Sequence, residues 1–318
     1  MDSTTTDRFD ASRFEASRNR LASLAYRLLG SAADAEDAVQ DAFLHWQAAD
    51  RQRIKVPEAW LTKVVTNLCL DRVRSAQARR ERTIGAWLPE PLLAGDPMLG
   101  PADTFEQRES VSLAVLTLME RLSPLERAVY VLREAFSCSH AEIAEILDIT
   151  ESASQQHLHR ARRHIAAARR RGGGEVDPAS ARRIVEEFLA AASSGRTERL
   201  VALLTDDATA ISDGAGLTET LQRYDTPQRV AAVVRAGFKP TPAKRRLAGG
   251  TPAIHYALVN GSPAILFVLG DQVLGAVAFD ITNGKIATVR GIAAPTRLAR
   301  LAEAWRQHEP DTPLIAQW

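Results

Sequence analysis

The residues with the most evident chemical capacity lie close together. Ser152, Gln155, Gln156, His159 and Arg160 occupy one short stretch, and Arg162, Arg163, Arg169, Arg170 and Arg171 follow with no acid among them. A glutamine amide pairs with the edge of adenine through two hydrogen bonds, and a guanidinium does the same with guanine. Serine hydroxyls and further arginines suit phosphate oxygens. The chemistry on offer is recognition of a nucleic acid rather than bond making. His157 and His159 fall on opposite sides of a helix, which is poor geometry for a shared metal, and no Cys/His spacing resembles a zinc site. No cofactor and no metal are expected.

Such side chains need a rigid helix presented at an angle. Ile143, Ala144, Leu147, Ile149, Leu158 and Ile165 have the spacing of two short helices packed across each other. The turn falls at Leu147-Asp148-Ile149-Thr150, where Asp148 tolerates unusual backbone angles and Thr150 suits an N-cap. This is the outline of a helix-turn-helix, whose second helix enters the major groove.

The 318 residues suffice for two or three domains, and an apolar fraction of 45% is ordinary for a globular chain. No apolar run approaches the roughly 20 residues that cross a bilayer, and the polar N-terminal stretch lacks a signal-peptide core. Cys69 and Cys138 both fit apolar helical patterns; two buried free thiols imply a reducing, cytoplasmic setting with no membrane partner. The net charge of +1 conceals strong segregation. Asp34, Glu36, Asp37 and Asp41 form an acidic cluster without a base, whereas Arg72, Arg74, Arg79, Arg80 and Arg82 are diluted only by Asp71 and Glu81. An acidic helix between basic ones suggests a protein partner besides DNA.

Four segments follow from periodicity and punctuation. Residues 9–85 read as helical: a first helix stops at Gly30, Ser31 caps a second through Trp46, and Pro57 opens a third. Residues 86–110 are a Pro- and Gly-rich linker with unusually apolar content at Trp87, Leu88, Leu92 and Leu93. Residues 111–171 are helical and carry the helix-turn-helix, with Ser123 and Pro124 opening a helix. Gly172-Gly173-Gly174 is a flexible joint. Residues 176–318 open with helices at 181–192 and 197–204, then give strands at 208–211, 254–259, 264–269, 273–280 and 286–292, with a hairpin signal at Asn283-Gly284. That is an α+β domain with a mainly antiparallel sheet.

Three motifs in this order, DAEDAVQDAFLHW (34–46), AWLTKVVTNLCLDRVRSAQARR (59–80) and the helix-turn-helix, resemble the extracytoplasmic-function sigma factors of RNA polymerase. The WLPEPL stretch (87–92) and the C-terminal α+β segment resemble the SigJ-like subgroup, which carries a fused SnoaL-like extension with a curved sheet. The subgroup's DGGGK-like loop corresponds to Asp213-Gly214-Ala215-Gly216-Leu217, where the lysine is lost. Its NPDKL-like motif corresponds to Ala294-Pro295-Thr296-Arg297-Leu298, where asparagine and aspartate are lost.

The resemblance implies two all-α sigma domains followed by a SnoaL-like cone, binding to core RNA polymerase, and recognition of −10 and −35 promoter elements. It implies a core-binding surface at Asp37, Gln40 and Asp41; as a charge run alone, that helix reads equally as a solvated face. It implies −10 contacts from Asn67, Asp71, Arg72, Arg74, Arg79 and Arg80 on exposed turns, with the loop at 50–58 completing a pocket for an unstacked base. Trp60 repeats with Leu61 and Val64 and reads as core. The −35 contacts fall to Ser152, Gln155, Gln156, His159, Arg160 and Arg162; on its own His159 reads as an ordinary exposed histidine. Arg169–Arg171 read equally as a solvated helix end that complements the helix dipole.

The extension is expected to regulate in cis through Trp87, Leu88, Pro89, Leu92, Asp213, Gly214, Gly216 and Pro295. Asp213, His255 and Asp280 are the acid/base candidates a SnoaL-like cone would offer, but their spacing gives no catalytic pair, and no enzymatic activity is expected. A small ligand of this domain is left open. Competing readings are a DNA-binding regulator acting without core polymerase, and a helix-turn-helix fused to a small-molecule enzyme.

Overall fold

The computed structural model describes residues 3–80, 88–100, 104–169, 177–217 and 220–318. They divide into two compact units: Met1–Thr83 with Gly95–Ile165, and Ile84–Ala94 with Ala166–Trp318. Trp87 and the Gly172–Gly174 joint lie outside the described residues, as do the side chains of Arg79 and Arg80.

The first unit is helical. α1 (Ser3–Leu29) ends at Gly30, whose φ of 67° is a left-handed stop. Ser31 Oγ accepts from Asp34 N–H and opens α2 (Ala32–Ala48), and Pro57 begins α3 (Pro57–Arg80). Leu21, Leu24, Ala35, Val39, Leu61 and Val65 are buried where the three helices pack. Trp60 is half-buried beside the buried Trp46, ring centroids 5.7 Å apart, in keeping with its reading as core.

The stretch read as linker contains more structure than its composition suggests. Thr104 and Gln107 form a reciprocal capping box that opens α4 (Phe105–Ser110). α5 (Leu113–Met119) follows, then α6 (Pro124–Glu134), capped by Ser123 and Glu126. α7 (His140–Leu147) and α8 (Glu151–Arg169) form the helix-turn-helix, and Asp148 supplies the left-handed turn at φ 54°. Cys138 departs from expectation. It lies in the α6–α7 loop, not in a helix, and is only half-buried, while Cys69 is fully buried; both are free thiols.

The second unit is α+β. Its open sheet has the order β2-β1-β6-β5-β4-β3, formed by Leu204–Ser212 (β1), Gln222–Tyr224 (β2), Ala253–Val259 (β3), Ser262–Leu269 (β4), Gln272–Thr282 (β5) and Lys285–Ile292 (β6). Only the β1–β6 pairing is parallel. Asn283 and Gly284, at φ 50° and 73°, make the expected hairpin turn; Asn260 and Gly261 make a second at 51° and 74°. Irregular register in β1, β4 and β5 supplies the local bends. The helix expected at 197–204 is shorter, because Leu204 already pairs with Ile286.

One sheet face packs against α9 (Pro178–Ser194), α10 (Thr197–Ala202) and α11 (Pro227–Phe238). Its interior is filled by aromatic rings: Phe188 meets Phe279 at 5.0 Å and Phe238 at 6.1 Å, and Phe267 meets Trp318 at 5.2 Å. The opposite face carries α13 (Pro295–Arg306), whose Trp305 lies 5.1 Å from His255. α12 (Pro242–Ala248) buries none of its residues.

Candidate nucleic-acid interface

Local capping fixes the helix-turn-helix angle. Ser139 and Glu142 form a capping box on α7, and Thr150 Oγ1 accepts from Ala153 N–H at the start of α8. His140 Nδ1 lies 2.8 Å from Oγ of the buried Ser154, joining the two helices. Ile143, Ile146, Leu158, Ala161 and Ile165 form the packed seam. On the opposite side of α8, Ser152, Gln155, Gln156 and His159 are exposed at i, i+3, i+4 and i+7, a single face.

Two of the arginines expected to read DNA are exposed and also hold acids of the helix behind them. Arg160 donates through Nε to Glu126 Oε1 at 2.8 Å and lies 2.8 Å from His157 Nδ1. Arg162 meets Glu134 Oε1 at 2.7 Å. Both acids belong to α6, so these arginines brace α8 against the helix behind it. Glu126 is caught between opposed influences. Burial works to raise its pKa, while hydrogen bonds from Arg160 and Ser123 outweigh that and hold it below the usual carboxylate value. Arg163 was not singled out as a contact, yet it is exposed on the same face as Ser152 and His159. The signal was present: eleven residues is close to three helical turns.

On α3, Asn67, Asp71 and Arg74 are exposed at i, i+4 and i+7, and Arg74 is ion-paired with Asp71 at 3.2 Å. Arg72 departs from the expected exposed turn. Its side chain is 30% exposed and reaches α2, donating to Asp41 Oδ2 at 2.6 Å and to Asp34 O. One member of the acidic face thus pairs with one member of the basic helix. Asp37 and Gln40 remain exposed, and Leu44, 60% exposed, extends their row to i+7. A charge-based reading does not single out this leucine, which lies among the acids of α2.

Within this unit the helices of the two halves are packed together. Buried Arg27 of α1 donates to Ser110 Oγ at 2.9 Å and to Leu99 O at 2.8 Å, and burial pulls its guanidinium down to about 10. Buried Arg127 of α6 donates to Leu28 O and Met119 O, each at 2.9 Å. Lys63 of α3 donates to Glu145 O of α7 at 2.7 Å.

The second unit gathers the remaining candidates. Asp213, 7% exposed, accepts from Ala215 N–H at 3.0 Å, Ala293 N–H at 3.0 Å and Ala294 N–H at 2.9 Å, and so fixes the two residues that lead into α13. The φ angles at Gly214, Ala215 and Gly216 are all positive, which lets the loop fold back; a Cβ on Gly216 would sit 3.5 Å from Ala294 Cβ. Pro295 is the first residue of α13, and Arg297, two residues on, donates to Leu88 O. Leu88, Pro89, Leu92 and Leu93 are buried. Leu92 and Asn260 exchange two hydrogen bonds: Leu92 N–H donates to Asn260 Oδ1 at 2.8 Å and Asn260 N–H to Leu92 O at 2.9 Å. Leu93 then pairs with Val259, and Ala94 N–H donates to Leu258 O at 3.0 Å. The segment therefore adds to the free edge of β3, whose other end is covered by Ile315.

The acid/base candidates have structural duties. Asp213 is saturated by backbone donors, Asp280 meets Arg290 at 2.6 Å, and His255 Nδ1 lies 3.2 Å from Asp311 O. Burial lowers the His255 pKa.

Comparison with known proteins accords with this arrangement. The Sigma-70 region 2 family matches residues 13–79, and Sigma-70 region 4 matches 112–165. The ECF RNA polymerase sigma factor SigJ of Mycobacterium tuberculosis is 41% identical over 308 residues, covering 95% of this chain and 97% of that protein. A probable ECF sigma factor, SigI, of the same species is 31% identical over 292 residues, 90% of this chain and 93% of the relative. The crystal structure of the M. tuberculosis SigJ protein superposes with a TM-score of 0.68 at 31% identity, covering 91% of this chain and 98% of that one, its SnoaL-like domain included. Among the described residues no helix is long and apolar enough to cross a membrane. The chain belongs to the extracytoplasmic-function RNA polymerase sigma factors, non-enzymatic factors that direct transcription initiation.

Proposed function

We propose that this sigma factor reads a bipartite promoter and that the structure is its closed form. Asp37, Gln40 and Asp41, with Leu44, form the core polymerase surface. Asn67, Asp71 and Arg74 contact the −10 element, with Arg79 and Arg80 tracking phosphate further along α3 and Arg72 released from Asp41 when α2 docks. Ser152, Gln155, Gln156 and His159 read the −35 element, with Arg163 beside them. Arg160 and Arg162 position α8 and reach DNA only by giving up their α6 partners. The setting is the cytoplasm, where core polymerase and promoter DNA are found.

The observation that carries the closed state is the 2.7 Å contact between Lys63 of α3 and Glu145 O of α7. Elements centred 25 base pairs apart are separated by about 85 Å at 3.4 Å per pair. Helices in contact cannot engage both, so recognition requires separation and the closed fraction lowers apparent DNA affinity. The C-terminal domain acts in cis by holding the connecting segment through Leu88, Pro89, Leu92 and Asn260. Trp87 stands at the head of that segment. The Asp213–Gly216 loop and Pro295 fix the helix that carries Arg297.

Fluorescent labels on α3 and α8 test this reading. Energy transfer should be high in the free chain and collapse when core polymerase and promoter DNA are both bound. High transfer in a transcriptionally active complex would refute the closed-state assignment.

A further inference from the structure

From Thr226 to Gly270 the chain contains no Asp or Glu, yet it carries Arg229, Arg235, Lys239, Lys244, Arg245 and Arg246. For a chain with a net charge of only +1 this is a marked local excess. Arg229, Arg235, Lys239, Arg245 and Arg246 are exposed, and among the described residues none of these cations is paired with a carboxylate. Their placement has a fixed geometry. Lys244 Nζ donates to Ala236 O, Gly237 O and Lys239 O, so α12 folds back over the C-terminal end of α11, and Arg245 Nε donates to Trp318 O. The helix so held buries none of its residues and leaves Leu247 87% exposed. It does little for the core, and it exposes Arg245 and Arg246.

We propose that α11 and α12 form a third DNA-contacting surface, in the C-terminal domain, that binds the sugar-phosphate backbone of duplex DNA without reading sequence. The charges favour this partner. They are spread over two elements with no carboxylate to set a register, which suits a uniform line of phosphates. A protein partner would call for an apolar centre, and here Leu247 is the one large exposed apolar side chain on α11 and α12. The inference rests on the chain being a sigma factor, and not on the −10 and −35 assignments or on the closed state.

The test uses holoenzyme reconstituted with the full chain carrying Arg235→Gln, Lys239→Gln and Arg246→Gln. Among the described residues these side chains hold no hydrogen bond that orders the domain, whereas Lys244 and Arg245 are left in place. Affinity is measured between 50 and 200 mM salt on a promoter fragment and on a duplex of unrelated sequence. The slope of log affinity against log salt should become shallower by about 2–3 on both duplexes, since each phosphate contact contributes about 0.9. Affinity for core polymerase should be unchanged, and the Lys versions at positions 235 and 246 should restore most of the slope. An unchanged slope on both duplexes would overturn the proposal. So would weaker core binding with an unchanged DNA slope, which would assign the surface to an acidic face of polymerase. A melting curve matching that of the native chain excludes misfolding as the cause of a lost slope.

Discussion

Arg160 and Arg163 separate positioning from reading. Arg160 is tied to Glu126, so Arg160→Ala leaves a largely buried carboxylate without its cation. The expected loss is about 1–3 kcal/mol in stability, seen as a lower melting temperature with promoter preference retained. Arg163→Ala should leave melting unchanged and weaken −35-dependent transcription by the about 1–3 kcal/mol of a lost DNA contact. The reverse pattern would exchange the two roles. Acid titration gives a second handle. Glu126 has a folded-state pKa held below 4.5, so its contribution is present above that value and fades as pH falls through the lower folded value. The stability gap between native chain and Arg160→Ala should therefore shrink as pH falls through the lowered Glu126 value; a gap independent of pH would mean that Glu126 is not the partner that matters.

At the scale of elements, the segment at 88–94 is bridged to the β3 edge at Leu93, and Asn260 is its main polar anchor. Asn260→Gly keeps the left-handed turn, at φ 51°, and keeps the backbone N–H, while removing the acceptor for Leu92 N–H. Loss of that buried bond costs about 1–3 kcal/mol. Limited proteolysis around the segment should accelerate roughly 5- to 150-fold, while Asn260→Asp, which keeps an acceptor, should stay protected. Equal protection in both variants would show that the apolar side chains alone hold the segment.

Much at this scale was legible in the sequence. Capping residues, glycine stops and helical periodicity place α2, α3, α6, α7 and α8, and the apolar excess in the linker announces a segment that needs a surface. What was not legible came from partners distant in sequence. Nothing local shows that Arg160 and Arg162 face α6, that Arg72 faces Asp41, or that Asp213 holds the residues leading into a helix that begins at Pro295. α11, α12 and α13 escaped notice because each opens at a proline, which reads as a break as readily as a first helical turn.

For the whole molecule, the question is what keeps the helical halves of the sigma unit together. Lys63 donates from α3 to the Glu145 carbonyl, and Arg127 reaches from α6 to Leu28 O. The Arg127 bond is buried, whereas the Lys63 bond is exposed to water that can also satisfy its groups and contributes about 0.5–1.5 kcal/mol. Lys63→Ala should therefore raise the open fraction by up to about tenfold, and apparent affinity for promoter DNA with it. Cys138 provides an independent measure in the same molecule. Its loop lies beside α1, where Arg20 and Arg27 approach the Phe136 ring at 5.3 and 5.6 Å. Burial, and then Glu142, raise its thiol pKa, so alkylation in the closed form is slow. Opening should relieve the burial and speed Cys138 labelling. Cys69, fully buried in α3 and pushed up to about 12, should stay inert as the internal control. Faster Cys138 labelling together with tighter DNA binding in Lys63→Ala would establish that this contact holds the factor closed. Unchanged labelling with unchanged affinity would place the restraint elsewhere, in the segment that the C-terminal domain holds.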